Sequence, residues 1–234
     1  MSQGVPNTNV GITPSSKVTS IFPGDYAAAD EGSFFVSYLA ATASNAVSLT
    51  SQVLANANPI LAIQNQAPLS GNSYNLYIRA IKVVVTTVIT GNSQLYYSTA
   101  LDPLAVKLTT VGTPFNTPQN TNSNSAVMSK AALWGGVNIA AAVSANGRQT
   151  GAGIVSGALP VAFDEYIFHF GQPVFGGDMV GTQTLVKRIT VSNAPLIVPP
   201  QWWFTLGFWA AAWTVSAAPA FQMEVQYIER PSGL

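Results

Sequence analysis

The sequence predicts an all-β fold, an antiparallel sandwich or barrel, and three observations carry that expectation. Segments dense in β-branched and aromatic residues recur along the chain, as in YNLYIRAIKVVVTTVIT at residues 74–90, where Arg79 and Lys82 are the only charges. Clusters of Gly, Pro, Asn and Ser separate these segments at short intervals, the rhythm of strands joined by turns. No stretch shows the apolar period of a convincing amphipathic helix, so no helical layer is expected. A length of 234 residues suits one large all-β domain or two small domains, and either buries a core without covalent staples.

Residues 1–20 are polar and turn-rich and read as an extended N-terminal arm, with 21–234 as a single domain. Helical turns are expected at 26–31 and 129–134, both on alanine content alone. Strands are expected at 33–41, 46–54, 60–64, 74–90, 94–99, 106–111, 138–145, 148–156, 165–170, 184–192, 204–210 and 221–229. Gly91-Asn92-Ser93 predicts a hairpin between the strands on either side. Asn146-Gly147 supplies the two positive φ angles of a type I′ turn and predicts another, between 138–145 and 148–156. The span GTPFNTPQNTNSNS at 112–125 reads as an exposed loop.

Only 18 residues carry charge, nine of each sign, where a soluble domain commonly has about a quarter of its residues charged. Charge keeps a solitary protein solvated and unassociated, so a neutral, charge-poor chain points to burial against partners. With no cysteine, disulfides and thiolate metal sites are excluded. No Asn-x-Ser/Thr acceptor occurs, so nothing marks a glycosylated surface protein. Nucleic-acid binding draws its affinity from Lys and Arg on phosphate, yet Lys187-Arg188 is the only basic pair and Lys17 stands alone in the arm. No direct nucleic-acid partner is expected.

The arm lacks the basic region and apolar run of a secretory signal. A charge-free stretch from 189 to 223 is long enough to cross a bilayer. Pro195, Pro199, Pro200 and Pro219 interrupt it, and its Trp residues crowd one half instead of forming two interfacial belts. Buried strands fit the stretch better, and no membrane span is expected.

Catalytic chemistry is tested by elimination. His169 is the only histidine, and the nine acidic residues show no ligand-like clustering, so no metal or cofactor site is expected. Asp164-Glu165 is the closest acidic pair, but successive strand residues point to opposite faces. A Ser-His-Asp triad from His169 with Asp164 or Asp178 lacks the G-x-S-x-G turn that would select a serine. Gly147, Gly151, Gly153 and Gly157 lack phosphate-loop spacing and follow a hairpin signal, which assigns them to bulges and tight turns. No catalytic residue is expected.

The aromatic block near the C-terminus remains: Trp202, Trp203, Phe204, Phe208, Trp209 and Trp213. Alternation places Phe204, Leu206 and Phe208 on one face and Trp203, Thr205 and Trp209 on the other. A strand with large rings on both faces is covered on both, by its own chain or by a neighbouring subunit. Trp202, Trp203, Trp209 and Trp213 are therefore the candidate subunit-interface residues.

The segment APLIVPPQWWFTLGFWAAA at 194–212, followed by FQMEVQYIERP at 221–231, resembles the C-terminal strand pair of jelly-roll virion proteins. There a Pro-Pro turn leads into a buried strand and the final strand ends in Glu-Arg-Pro. The likeness is greatest to the trimeric cement or decoration proteins on the outside of tailed-bacteriophage capsids. It implies a jelly-roll-like sandwich located in the virion, with further copies of itself, as a homotrimer, and a major capsid protein lattice as partners. It implies no enzymatic activity and no cofactor, and it transfers no functional residue. A principal capsid protein of a small or membrane-containing icosahedral virus shares this composition and fold. A glycan-binding sandwich would set exposed aromatics, with Trp203 the one to test, beside Asn and Asp. A hydrolase on a β scaffold would depend on His169.

Overall fold

The computed structural model describes residues 8–12, 18–39, 45–46, 59–71, 73–86, 94–103, 108–110, 112–136, 138–139, 147–156, 160–171, 188–210 and 220–232. Strands β1 (Thr8–Ile12) and β2 (Val18–Pro23) are followed by the one short helix among these residues, α1 (Gly24–Asp30). Next come β3 (Phe34–Tyr38), β4 (Asn45–Ala46), β5 (Leu61–Asn65), β6 (Tyr74–Val85), β7 (Leu95–Pro103) and β8 (Leu108–Thr110). Short strands β9 (Thr113–Pro114) and β10 (Gln119–Asn120) precede β11 (Ala131–Gly135), β12 (Asn138–Ile139) and β13 (Arg148–Ser156). The last are β14 (Glu165–Phe170), β15 (Arg188–Asn193), β16 (Leu196–Val198), β17 (Trp202–Ala210) and β18 (Ala220–Pro231).

These strands form an all-β sandwich of two sheets packed against each other. The first sheet runs β10-β3-β18-β6-β14-β15, with β4 on β18 and β16 on β6; the second runs β13-β7-β17-β5-β11-β9. Pairing in both is antiparallel except for β14 with β15, which are parallel. Strands β1 and β2, within and just beyond the expected arm, pair with each other and join neither large sheet.

Segments far apart in the chain pair side by side: β3 lies beside β18, β5 beside β17, β6 beside β14 and β7 beside β13. Strand β18 also meets β6, and β17 also meets β7. Alternation fills the space between the two sheets: Phe35, Ile81, Val83, Phe168 and Val225 from the first sheet face Leu61, Ile63, Phe204 and Leu206 from the second. Edge-on ring contacts bridge the layers, Phe170 to Phe204 at 5.8 Å and Phe208 to Phe221 at 5.5 Å.

Several sequence expectations are corrected by this topology. The hairpin across 91–93 does not form, because β6 and β7 lie in different sheets. Residues 140–146 of the hairpin expected across Asn146-Gly147 lie outside the described residues; of its flanks, β13 pairs with β7 and β12 with β8. Strands β17 and β18 do not pair, although the resemblance suggested a strand pair; they face each other across the core. A turn signal marks where a chain reverses, not which strand it then joins. At 129–134 the expected helical turn is strand β11, because alternation sends Leu133 into the core and Trp134 outward. The expected turn at 26–31 is present as α1. Expected strand residues 40–41, 47–54, 87–90, 106–107, 111, 140–145 and 184–187 lie outside the described residues.

The polar span at 112–125 acts as a strap between the sheets. Its β9 pairs with β11 of the second sheet and its β10 with β3 of the first. Asparagine side chains take the place of backbone partners along it. Asn116 Oδ1 accepts from the Tyr38 amide at 2.6 Å, Asn120 Nδ2 donates to the Gly32 carbonyl at 2.8 Å, and Asn122 Nδ2 to that of Asp30 at 2.9 Å. At Gly32, with φ of 69°, a Cβ would stand 2.3 Å from Ser125 Oγ, so only glycine lets the strap lie this close.

The strap's far end is tied to β18 by Glu229. This carboxylate is buried and accepts from Ser129 Oγ at 2.5 Å and from the Lys130 amide at 2.8 Å, while Ser129 Oγ also bonds Tyr227 Oη at 2.6 Å. Burial pushes the Glu229 carboxyl above its ordinary range despite those hydrogen bonds and the charge of Lys130.

Candidate functional site

Strand β17 is the centre of the second sheet, and a turn at its start sets the placement of its indoles. Gln201 adopts φ of 62° after Pro199-Pro200, donates its amide N–H to the Asn65 carbonyl at 3.0 Å and its Nε2 to that of Ala67 at 2.8 Å. From there Phe204, Leu206 and Phe208 enter the core, and Trp203, Thr205, Gly207 and Trp209 turn to the opposite side, as the alternation predicts.

That outer face has an aromatic pair at each end and small residues between. Trp203 and Trp134 sit with ring centroids 5.4 Å apart around Ala62, which lies between Thr205 and Trp134 in register. Trp209 stacks on Tyr96 at 5.6 Å and 14°. Ser98, Ala100, Thr205 and Gly207 line the interval, and all four are buried although they point away from the core. Ala62 is 0% exposed and Trp203 7%. At Gly207 a Cβ would stand 3.2 Å from Ser98 Oγ, close enough that Ser98 would have to shift slightly.

The four interface candidates thus separate. Trp203 is buried within the protomer, and its Nε1 has no hydrogen-bond partner among the described residues. Trp202 is half-buried at the margin of the main core, Trp209 is half-buried on Tyr96, and Trp213 lies outside the described residues. Trp134 was missed, because its segment read as a helical turn. A burial of 93% also removes Trp203 as a stacking platform for a sugar, since its relative exposure is 7%.

The outer face of the first sheet has a different chemistry. Glu165 binds Lys82 Nζ at 2.8 Å and Arg188 Nη2 at 2.6 Å, on adjacent strands β6 and β15. Burial raises the Glu165 carboxyl, but hydrogen bonds from Lys82 and Arg188 and their charges outweigh it, so the net displacement is downward. Arg79 pairs with Asp25 at the start of α1, 2.8 Å away. Tyr38, Glu224 and Lys82 form one row across β3, β18 and β6. Two grooves of about 280 and 210 Å³ share Lys82 and Glu224, the first bounded by Tyr38 and the second by His169 and Gln226.

His169 is half-buried on β14, in register with Ala80 and Ser192. Burial, then the nearby Arg79 charge, lower its pKa, so the imidazole is neutral near neutrality. Asp164 is buried one residue before β14, where its Oδ2 accepts from the Val161 amide at 2.8 Å. Asp164 therefore has a turn-holding role, and Asp178 lies outside the described residues. Gly151 and Gly153 lie on β13 beside register shifts, where Cβ atoms would meet Thr99 Oγ1 at 2.9 Å and Tyr97 Cε1 at 3.0 Å. These glycines serve bulges and close packing, as expected. No helix among the described residues is long and apolar enough to cross a membrane; residues 188–210 and 220–232 of the charge-poor stretch and its flanks are largely strand.

No protein-family model, no curated protein and no solved structure matches this chain.

Proposed function

We propose that this chain is a structural subunit of a viral capsid, a jelly roll that sits on the outside of the shell as a cement or decoration protein and works through surfaces buried between subunits. The strand pairing carries the reading: eight strands paired β3–β18, β5–β17, β6–β14 and β7–β13, divided between two sheets, support a jelly roll. The second sheet adds to it. Asp102 and Arg148 are the only charges in its strands, whereas Trp, Tyr and small residues dominate its outer face. Tyr96, Trp134 and Trp209 stay half-buried on that face, and Trp and Tyr are the residues that dominate binding energy at interfaces.

Cohesion is the whole mechanism of this reading. Contacts that are weak singly act together once a subunit is held at several points on a lattice. The partners are further copies of the chain, as a homotrimer, and a major capsid protein lattice; the location is the virion; no catalytic step or cofactor takes part. Native mass spectrometry and electron microscopy of the purified chain test it, with a discrete trimer that does not grow into shells as the expected result. A monomer at all concentrations overturns the reading. Closed shells formed by the chain alone replace the cement role with a second reading, the principal capsid protein, which the same strand pairing favours.

A further inference from the structure

We propose that the outer face of the first sheet carries a binding site for neutral carbohydrate, with Tyr38 as the stacking platform and Glu224, Gln226 and Lys82 as its hydrogen-bonding wall. This goes beyond the assembly reading and does not depend on it. Tyr38 closes β3 with 49% of its surface exposed, although its backbone is pinned by Asn116. The strand register places Glu224 directly across from Tyr38 and Lys82 directly across from Glu224. A large exposed ring and three polar side chains therefore stand on one face of the sheet.

The two adjoining grooves, about 280 and 210 Å³, meet at Lys82 and Glu224. The larger, beside Tyr38, approaches the lower end of small-ligand clefts, about 300–1,000 Å³. A sugar ring offers an apolar C–H face and closely spaced hydroxyls, which need an aromatic surface beside mixed donors and acceptors. Gln226 Nε2 donates to Glu224 Oε1 at 2.7 Å and steadies that carboxylate, which has acceptor capacity for further donors.

Charge selects the class of ligand. Lys82 and Arg188 both bind Glu165, Arg79 pairs with Asp25, and with Glu224 the face holds three cations and three anions, while the adjoining His169 is neutral. An anionic ligand would have to break the Lys82–Glu165 pair, and a cationic one would meet Lys82 beside Glu224. An uncharged polyol meets neither obstacle.

The test uses the full-length chain, an array of neutral and sialylated oligosaccharides, and saturation-transfer NMR with lactose and maltose. Array binding to neutral glycans is expected, with saturation of the ring protons of at least one disaccharide. Tyr38→Ala should weaken binding by about tenfold or more, the loss of one stacking contact, and Tyr38→Phe should retain most of it. Glu224→Ala should weaken binding without lowering the thermal midpoint appreciably. A silent array with no saturation transfer, binding confined to sialylated glycans, or affinity unchanged in Tyr38→Ala overturns the proposal. None of these outcomes alters the native mass, so the assembly reading stands or falls separately.

Discussion

Tyr38 and Trp203 are both large aromatic residues that point away from the core, one on each sheet. Tyr38 is 49% exposed and Trp203 is 7% exposed. Beside Tyr38 the strands bring Glu224 and Lys82, with Gln226 bonded to Glu224 and Lys82 to Glu165, which keep that face hydrated and paired. Around Trp203 they bring Gln64 and the buried Asp102 in register, with Ala62 and Trp134 packed against the ring, and the site is closed instead. The difference shows that the outer side of a sandwich sheet is not one environment. Where charges alternate with core residues the face stays open to water, and where small residues alternate with indoles it becomes a second packed layer.

Trp203→Ala is the strongest way to break this comparison. A buried indole removed from a packed site should cost about 3–5 kcal/mol in urea unfolding. A loss below about 1 kcal/mol would mean that the outer face of the second sheet is not a packed layer. Glu229→Ala comes next, because the buried carboxylate ties the strap to β18 through Ser129 and Lys130. Donors left without it should lower stability by about 1–3 kcal/mol, with faster proteolysis within 112–130 as the local signature.

The two carboxylates Glu229 and Glu165 should give opposite pH slopes. Glu229 is raised, chiefly by burial, so the folded state holds its proton more tightly than the unfolded chain; its contribution is full at acid pH and declines as pH rises above the ordinary 4.5 through the folded value. Glu165 is lowered on balance, burial notwithstanding, by Lys82 and Arg188; its contribution is present above 4.5 and lost as pH falls through the folded value. Melting curves against pH should therefore lose their decline above 4.5 in Glu229→Gln and part of their acid sensitivity in Glu165→Gln. Matching profiles in both variants would dissolve the distinction. Lys82→Met should cost no more than about 1 kcal/mol, since the Lys82–Glu165 pair is partly exposed. Tyr38→Ala should stay within about 0.5 kcal/mol of the parent, the smallest effect, and sets the sharpest contrast with Trp203→Ala.

Much of the strand content was legible without coordinates. Glu165–Phe170 and Arg148–Ser156 form strands over the expected residues because period-two burial is a local property, written into each segment by its own side chains. The two-sided rings of β17 were legible for the same reason. Trp134 was not, since an alanine-rich segment has no strong local preference and became a strand only by pairing with β5. Tyr38, Glu224 and Lys82 come together from strands far apart in the chain, so no spacing rule could have grouped them.

By itself, then, the sequence determined that the chain is all-β, where its main strands run and which side chains of each face the core, because alternation and turn chemistry act over a few residues. Only the tertiary structure decided which sheet each strand joined. Pairing partners are chosen by contacts between distant segments, and for that reason the Gly91-Asn92-Ser93 signal separated two sheets instead of closing a hairpin. It also decided that Trp203 is enclosed and Tyr38 is not. Whether an outward ring meets water depends on what the neighbouring strands place around it, and those neighbours are fixed by register.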